Sequence, residues 1–122
     1  MINIEGRTIY VHRGDKGTIN YTIQISDTEL YQFQVGDKVE FTIFEKKGYD
    51  KAPVLNKIID INKVSTEVEI NLTEEDTTIG EIANKPITYW YEISLNGNDT
   101  TNGYDYEEGA AEFILLPAKG GE

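Results

Sequence analysis

A hydrophobic repeat of two residues constrains the fold of this chain more than any other feature. In residues 17–25 the side chains of Ile19, Tyr21, Ile23 and Ile25 share one face, and polar residues occupy the other. Residues 37–45 repeat the alternation. A period of two predicts β-strands with one face buried, because successive side chains of a strand point to opposite sides.

Seven segments have this character, and turn-forming residues separate them. No stretch of ten or more residues has the apolar spacing of an amphipathic helix. The pattern predicts an all-β fold, an antiparallel immunoglobulin-like β-sandwich of about seven strands. We expect a single domain over residues 1–117 and a flexible tail over 118–122. The predicted strands lie at 7–12, 17–25, 37–45, 53–60, 65–72, 87–95 and 110–117.

One short helical turn is predicted near Thr73–Thr78. Thr73 is placed to cap it, and Glu74, Glu75 and Asp76 follow in the first turn, where a helix dipole favours negative charge. We expect this turn to bridge two strands across one end of the fold.

The charge balance limits the partners of the chain. Among its 122 residues, 22 are acidic and 11 are basic, for a formal net charge of -11. Such a surface repels phosphate backbones and anionic lipid, so we expect neither nucleic-acid nor membrane binding. The first residues lack the basic and apolar regions of a secretory signal, and no stretch has the roughly 20 apolar residues of a membrane span. These features predict a soluble protein made inside the cell.

The stretch HRGDKG, residues 12–17, contains the Arg-Gly-Asp triplet of cell-adhesion ligands. It lies between two predicted strands, and Gly14 and Gly17 provide backbone freedom for a bend. A related Gly-Asp-Lys stretch at 36–38 also precedes a strand. Shared turn chemistry explains both stretches better than adhesion or duplication.

Aromatic residues are the best candidates for a binding site. The chain has eight tyrosines and one tryptophan, and these residue types anchor interfaces and stack on sugars. Trp90 is expected on the face opposite Tyr89 and Tyr91. Tyr104 and Tyr106 are further candidates on the loop 96–109, which is too long for a tight hairpin. Coverage of sheet edges by these aromatics is the equally favoured alternative.

Catalytic and metal-binding residues are sparse. There is no cysteine, His12 is the only histidine, and no serine has the spacing of a nucleophile elbow. We predict no catalytic site, no metal site and no cofactor. A small hydrolase that uses the loop carboxylates Asp105 and Glu107 is the least favoured alternative.

The order of five short motifs resembles a known group of proteins. These small virion proteins come from tailed phages and prophages of Gram-positive bacteria. In particular, the pattern resembles the N-terminal domain of baseplate upper proteins and related immunoglobulin-like tail or head-appendage modules. The motifs are Arg-Gly-Asp-x-Gly-Thr at 13–18, Gly-Asp-x-Val-x-Phe-Thr-Ile at 36–43, Leu-Thr-x-Glu-Asp-Thr at 72–77, Tyr-x-Tyr-x-Ile at 89–93 and Phe-Ile-Leu at 113–115.

The resemblance implies a non-enzymatic virion structural protein of the tail, baseplate or another appendage. Its implied partners are other virion proteins, and a homo-oligomer in the assembled particle is expected. The implied location is the virion, after synthesis in the bacterial cytoplasm. The alternative is a carbohydrate- or receptor-binding β-sandwich module that uses Trp90, Tyr104 and Tyr106.

Overall fold

A computed structural model of the chain describes residues 2–5, 7–45, 53–80, 84–99 and 111–118. Across these ranges the secondary structure is entirely β, as the sequence predicts. The nine strands are β1 (Ile2–Glu5), β2 (Thr8–His12), β3 (Gly17–Tyr21), β4 (Lys38–Phe44), β5 (Pro53–Asp60), β6 (Val68–Leu72), β7 (Ile87–Leu95), β8 (Asn98–Asp99) and β9 (Ala111–Leu116).

The strands form two sheets. The larger sheet has the order β1-β2-β9-β7-β4-β5, with β8 paired to the end of β7, and the smaller sheet pairs β3 with β6. The prediction of a purely antiparallel arrangement is wrong, because β2 runs parallel to β9. Side-chain alternation specifies which face of a strand is buried but not the direction of its neighbour. Strands β2 and β9, from near the two ends of the described residues, lie side by side and run the same way.

Both sheets contribute to one hydrophobic core. Phe41, Phe113 and Tyr91 belong to its aromatic part on the larger sheet, together with Tyr89, and the Phe41 ring centre lies 5.6 Å from that of Tyr91 and 6.4 Å from that of Phe113. The smaller sheet contributes Ile19 from β3 and the inward residues of β6. The strict alternation of burial along β4, β6, β7 and β9 is the physical result of the repeat in the sequence.

The segment 17–25 is a strand over only part of its predicted length. Strand β3 ends at Tyr21, and although Ile19 and Ile23 are buried as expected, Ile25 is 55% exposed. The backbone amide of Ile25 instead bonds to the carbonyl of Glu29, so a local loop has replaced the strand. Sequence alternation alone cannot indicate where a strand loses its hydrogen-bonding neighbour.

The predicted helical turn near Thr73–Thr78 is not present as a helix. Residues 74–77 form a hydrogen-bonded turn, in which the Thr77 amide bonds to the Thr73 carbonyl and the Thr78 amide to the Glu75 carbonyl. The capping contacts do occur, since the Thr73 amide donates to Asp76 Oδ2 and the Asp76 amide donates to Thr73 Oγ1. A short acidic segment caps itself readily, but a helix also needs consecutive bonds along its backbone.

The long loop predicted at 96–109 begins with a tight hairpin. Asn96 and Gly97 have positive φ angles of 50° and 90°, and they connect β7 to β8. Two consecutive residues with positive φ are the requirement of a type I′ turn, for which Asn-Gly is the favoured dipeptide. The expectation that this segment excludes a tight hairpin is therefore wrong. The remaining loop residues lie outside the described ranges.

Candidate functional site

Trp90 lies near the centre of the larger sheet, on the face that points away from the core. Its neighbours Tyr89 and Tyr91 are buried, whereas Trp90 is partly exposed. This confirms the predicted opposite facing. On β4 its cross-strand partner is Phe44, and on β9 its partner is Glu112. Directly opposed residues share a face of the sheet, so Phe44 and Trp90 form an outward aromatic pair.

Apolar residues continue from this pair onto the neighbouring strands. Ile114 and Leu116 alternate with the buried Phe113 and Leu115 on β9, and Tyr10 lies opposite Ile114 on β2. All of the outward residues are partly exposed. We call this surface the outer aromatic face and define it as Tyr10, Phe44, Trp90, Ile114 and Leu116.

The outer aromatic face has an acidic margin. Glu112 lies beside Trp90, and Glu92 follows it two residues later on the same face of β7. On β4, Glu40 accepts a hydrogen bond of 2.6 Å from the side-chain amide of Asn56. An apolar centre with charged residues around it is the usual anatomy of a protein-binding surface.

The sequence predicts three aromatic residues of a binding site, and one of them lies among the described residues. Trp90 belongs to the outer aromatic face, whereas Tyr104 and Tyr106 lie outside the described residues. Sequence reasoning did not select Phe44, Ile114 or Tyr10. The signal for Phe44 and Ile114 was nevertheless visible, because Phe44 interrupts the polar face of its strand and the segment 110–117 is apolar on both faces.

His12 has a structural contact. Its Nδ1 lies 2.8 Å from the carbonyl oxygen of Pro117, and because a carbonyl only accepts, Nδ1 carries the proton. The bond ties the end of β2 to the residue after β9. Within the described ranges no group of three or more acidic or histidine side chains is arranged to hold a metal ion. The carboxylates Asp105 and Glu107 lie outside those ranges.

The Arg-Gly-Asp stretch is a turn that is bonded to the rest of the protein. Gly14 has a φ of 84°, which favours glycine. Nη1 of Arg13 donates to the carbonyl oxygen of Ile79 at 2.7 Å, and Nη2 donates to that of Gly80 at 3.1 Å. The hydroxyl of Thr77 donates to the carbonyl oxygen of Asp15 at 2.7 Å. A guanidinium held in this way joins two loops, which supports the structural interpretation of the triplet.

The related Gly-Asp-Lys stretch also turns at a glycine with positive φ. Gly36 has a φ of 99°, and the carboxylate of Asp37 accepts bonds from the Gln34 amide at 2.9 Å and the Tyr31 hydroxyl at 2.7 Å. The side-chain amide of Asn96 donates to the same carboxylate at 3.1 Å. These donors lower the pKa of Asp37, and the bond to Asp37 raises the pKa of Tyr31. The site is a junction of loops.

A second carboxylate joins β5 to the 74–77 turn. Nζ of Lys57 lies 2.5 Å from Oδ2 of Asp76, and both side chains are largely shielded from solvent. Partial burial raises the pKa of Asp76. The bonds from Lys57 and from the Thr73 amide outweigh that effect, so the pKa is lower than usual. Like Asp37, Asp76 holds separate segments together.

Comparisons with protein-family models, curated proteins and solved structures find no match to this chain. No helix in the described part of the chain has the length and apolar character needed to cross a membrane. Among the described residues, the outer aromatic face is the feature that most resembles a binding site.

Proposed function

We propose that the chain is a non-enzymatic structural protein of a phage-type virion, in the tail, the baseplate or another appendage. In this proposal it works by protein contacts made through the outer aromatic face. The observation that carries the proposal is the outward pair Phe44 and Trp90 at the centre of the larger sheet, continued by Ile114 and Leu116. Partly exposed aromatic and aliphatic residues in one patch favour a protein interface over plain solvent.

The finer fold proposed is an immunoglobulin-like sandwich. If β3, β4, β5, β6, β7 and β9 are named B, C, C′, E, F and G, one sheet contains G-F-C-C′ and the other contains B-E. Variable-type immunoglobulin domains divide these six strands in the same way, and they have further strands beside B and E. It agrees with the family that the order of sequence motifs resembles.

A virion role is compatible with a surface that binds each partner only weakly. Virion components are repeated symmetrically, so many modest contacts combine into a stable assembly. The partners proposed are other virion proteins, and a homo-oligomer is proposed for the assembled particle. The acidic margin around Trp90 favours contacts with surfaces of opposite charge over random self-association.

Mass spectrometry of purified particles tests this proposal. The chain should be present in phage particles from a bacterium that carries its gene, in a fixed ratio to the other virion proteins. Trp90→Ser should leave the protein folded and reduce its incorporation, whereas Thr88→Ser, a change on the same face of β7, should not. Consistent absence of the chain from particles would falsify the virion role.

Carbohydrate binding is the second candidate, and the position of Trp90 beside Glu112 favours it. An indole gives a stacking surface for a sugar ring, and a nearby carboxylate accepts bonds from its hydroxyls. Binding on a glycan array that Trp90→Ala removes, with folding preserved, would support this function. A folded protein that binds no glycan on the array would count against it.

A further inference from the structure

A cleft lies beside β6, on a different part of the molecule from the outer aromatic face. It has a volume of about 360 Å³ and separates the end of β5 from the start of β6. Its lining comes from these two strands, from Phe33 and from residues between β5 and β6. Strand β3 pairs along the opposite edge of β6, from Gly17 with Leu72 to Tyr21 with Val68. No residue of β3 lines the cleft, so we infer that the cleft borders the second edge of β6.

Along Val68–Leu72 this second edge has no strand partner among the described residues. The segment before it is bonded, since Ser65 exchanges backbone bonds with Phe33, and the Ser65 hydroxyl bonds to the amide and the carbonyl of Glu67. The smaller sheet there contains only β3 and β6. An unpaired edge presents a row of backbone amides and carbonyls at the spacing of a strand, and an extended segment can bond to them. In an immunoglobulin sandwich the sheet that contains strand E has a further strand at this edge, and here the cleft occupies that position.

The lining of the cleft combines apolar residues with acidic residues. Val68 and Phe33 are buried and form an apolar floor. Glu67 and Glu69 are exposed, and Asp60 brings a third carboxylate from β5. Lys63 is the cation of the lining, and Asp60 has an exposed and loose contact with Lys38 at 3.8 Å. Carboxylates therefore outnumber cations on the rim.

We propose that the cleft beside β6 binds an extended segment of a partner protein, which adds to the smaller sheet as a strand. Residues opposite each other on adjacent strands share a face. The added strand thus places apolar side chains toward Val68 and Phe33, and basic side chains toward Glu67 and Glu69. The ligand is a segment in which lysine or arginine alternates with β-branched residues.

The charges of this edge argue against a second copy of the chain as the occupant. Two β6 edges would bring the Glu67 and Glu69 pairs of both copies together, and like charges opposite each other destabilise strand pairing. The chain also has a net charge of -11, which opposes self-association in general. A basic strand from a different protein removes both penalties. This site is separate from the proposed virion contact, so either can fail without the other.

Fluorescence anisotropy with a labelled peptide tests the site. The probe is a hexapeptide of alternating lysine and valine, acetylated and amidated, titrated with the whole protein. We expect saturable binding and slowed hydrogen exchange of β6 amides. The double variant Glu67→Lys/Glu69→Lys should weaken binding by about tenfold or more, since two attractive pairs become repulsive. A matched variant, Glu5→Lys/Glu75→Lys, changes the net charge equally at other exposed positions and should have little effect.

Two control peptides separate strand addition from simple charge attraction. A peptide of the same composition with three lysines followed by three valines keeps the charge and loses the alternation. An alternating peptide with methylated backbone nitrogens on its bonding edge keeps the side chains and loses the donors. Both should bind at least about tenfold more weakly. Equal binding of either control, unchanged binding by the Glu67→Lys/Glu69→Lys variant, or no binding of the alternating peptide would overturn the proposal.

Discussion

The guanidinium of Arg13 donates a hydrogen bond to the carbonyl oxygen of Ile79, 2.7 Å away, and so connects two loops that are 66 positions apart in the chain. A second nitrogen of the same group reaches Gly80. The β2–β3 turn and the residues after the 74–77 turn are therefore held as one unit. This role requires a planar donor group that can serve two acceptors at once.

Removal of this guanidinium should destabilise the fold. Arg13→Ala is expected to lower the free energy of unfolding by about 1 to 2 kcal/mol, because charged donors are lost from two carbonyls. Arg13→Lys should recover only part of the loss. Urea unfolding measures both, with Lys16→Ala, an exposed neighbour, as the control. If Arg13→Ala is as stable as Lys16→Ala, the bonds of the Arg13 guanidinium do not contribute to the free energy of unfolding.

Gly80 should tolerate alanine less well than Gly97. Both have positive φ, 69° and 90°, so alanine carries a backbone cost of about 1 to 2 kcal/mol at either position. At Gly80 the added Cβ would also meet the Tyr89 hydroxyl, while nothing lies within 4 Å at Gly97. We expect thermal and urea unfolding to show Gly80→Ala as the less stable variant by at least about 1 kcal/mol. Equal losses would mean that the Tyr89 ring moves freely away.

Acid should weaken the fold partly through Asp37 and Asp76. The pKa of each is lower in the folded protein than usual, so the unfolded chain binds the proton more tightly. The stability they add is complete above the unfolded value of about 3.9 and is lost as pH falls through the lower folded pKa. Asp37→Asn and Asp76→Asn should each flatten the fall in stability from pH 5 to lower pH.

Urea unfolding at a series of pH values follows this effect. Glu75→Gln removes an exposed carboxylate from the same turn as Asp76 and serves as the matched control. Its pH profile should follow that of the unchanged protein. If the free energy of unfolding of Asp76→Asn falls with pH as steeply as that of the unchanged protein, the role assigned to the Lys57 contact is contradicted.

Base should weaken the fold through Tyr91. Burial raises the pKa of this phenol to about 12, and its hydroxyl donates to the carbonyl oxygen of Arg7 at 2.5 Å. The stability from this raised pKa is complete below the unfolded value of about 10 and is lost as pH rises toward 12. Ultraviolet titration should detect a tyrosine that ionises late and is missing from Tyr91→Phe. That variant should also cost about 1 kcal/mol at neutral pH.

Strand positions could be predicted well because burial follows local alternation. The segments 53–60 and 87–95 become β5 and β7 with the predicted bounds. Trp90 could be placed on the outward face for the same reason. Phe33 could not, since it lies outside the named strands and is fully buried against Tyr31, with ring centres 5.2 Å apart. Tyr31, Phe33 and Val35 alternate with glutamines, but only the tertiary structure shows that Phe33 is buried while Val35 is exposed.

The binding face was only partly predictable. Trp90 was identified by its residue type and its facing, which are local properties. Phe44, Tyr10 and Ile114 join it through strand order and register, which link positions distant in the chain. The cleft beside β6 depends on the same information, because it lies between an edge of each sheet.

The sequence by itself determined the all-β class, the positions of most strands, the alternating burial along β4, β6, β7 and β9, and the two glycine turns, because backbone sterics and the pleat act over a few residues. Only the tertiary structure decided the parallel pairing of β2 with β9, the division into two sheets, and the contact of Arg13 with Ile79. Those features depend on which distant segments pack together. Packing free energy is shared by the whole core, and no local pattern encodes it.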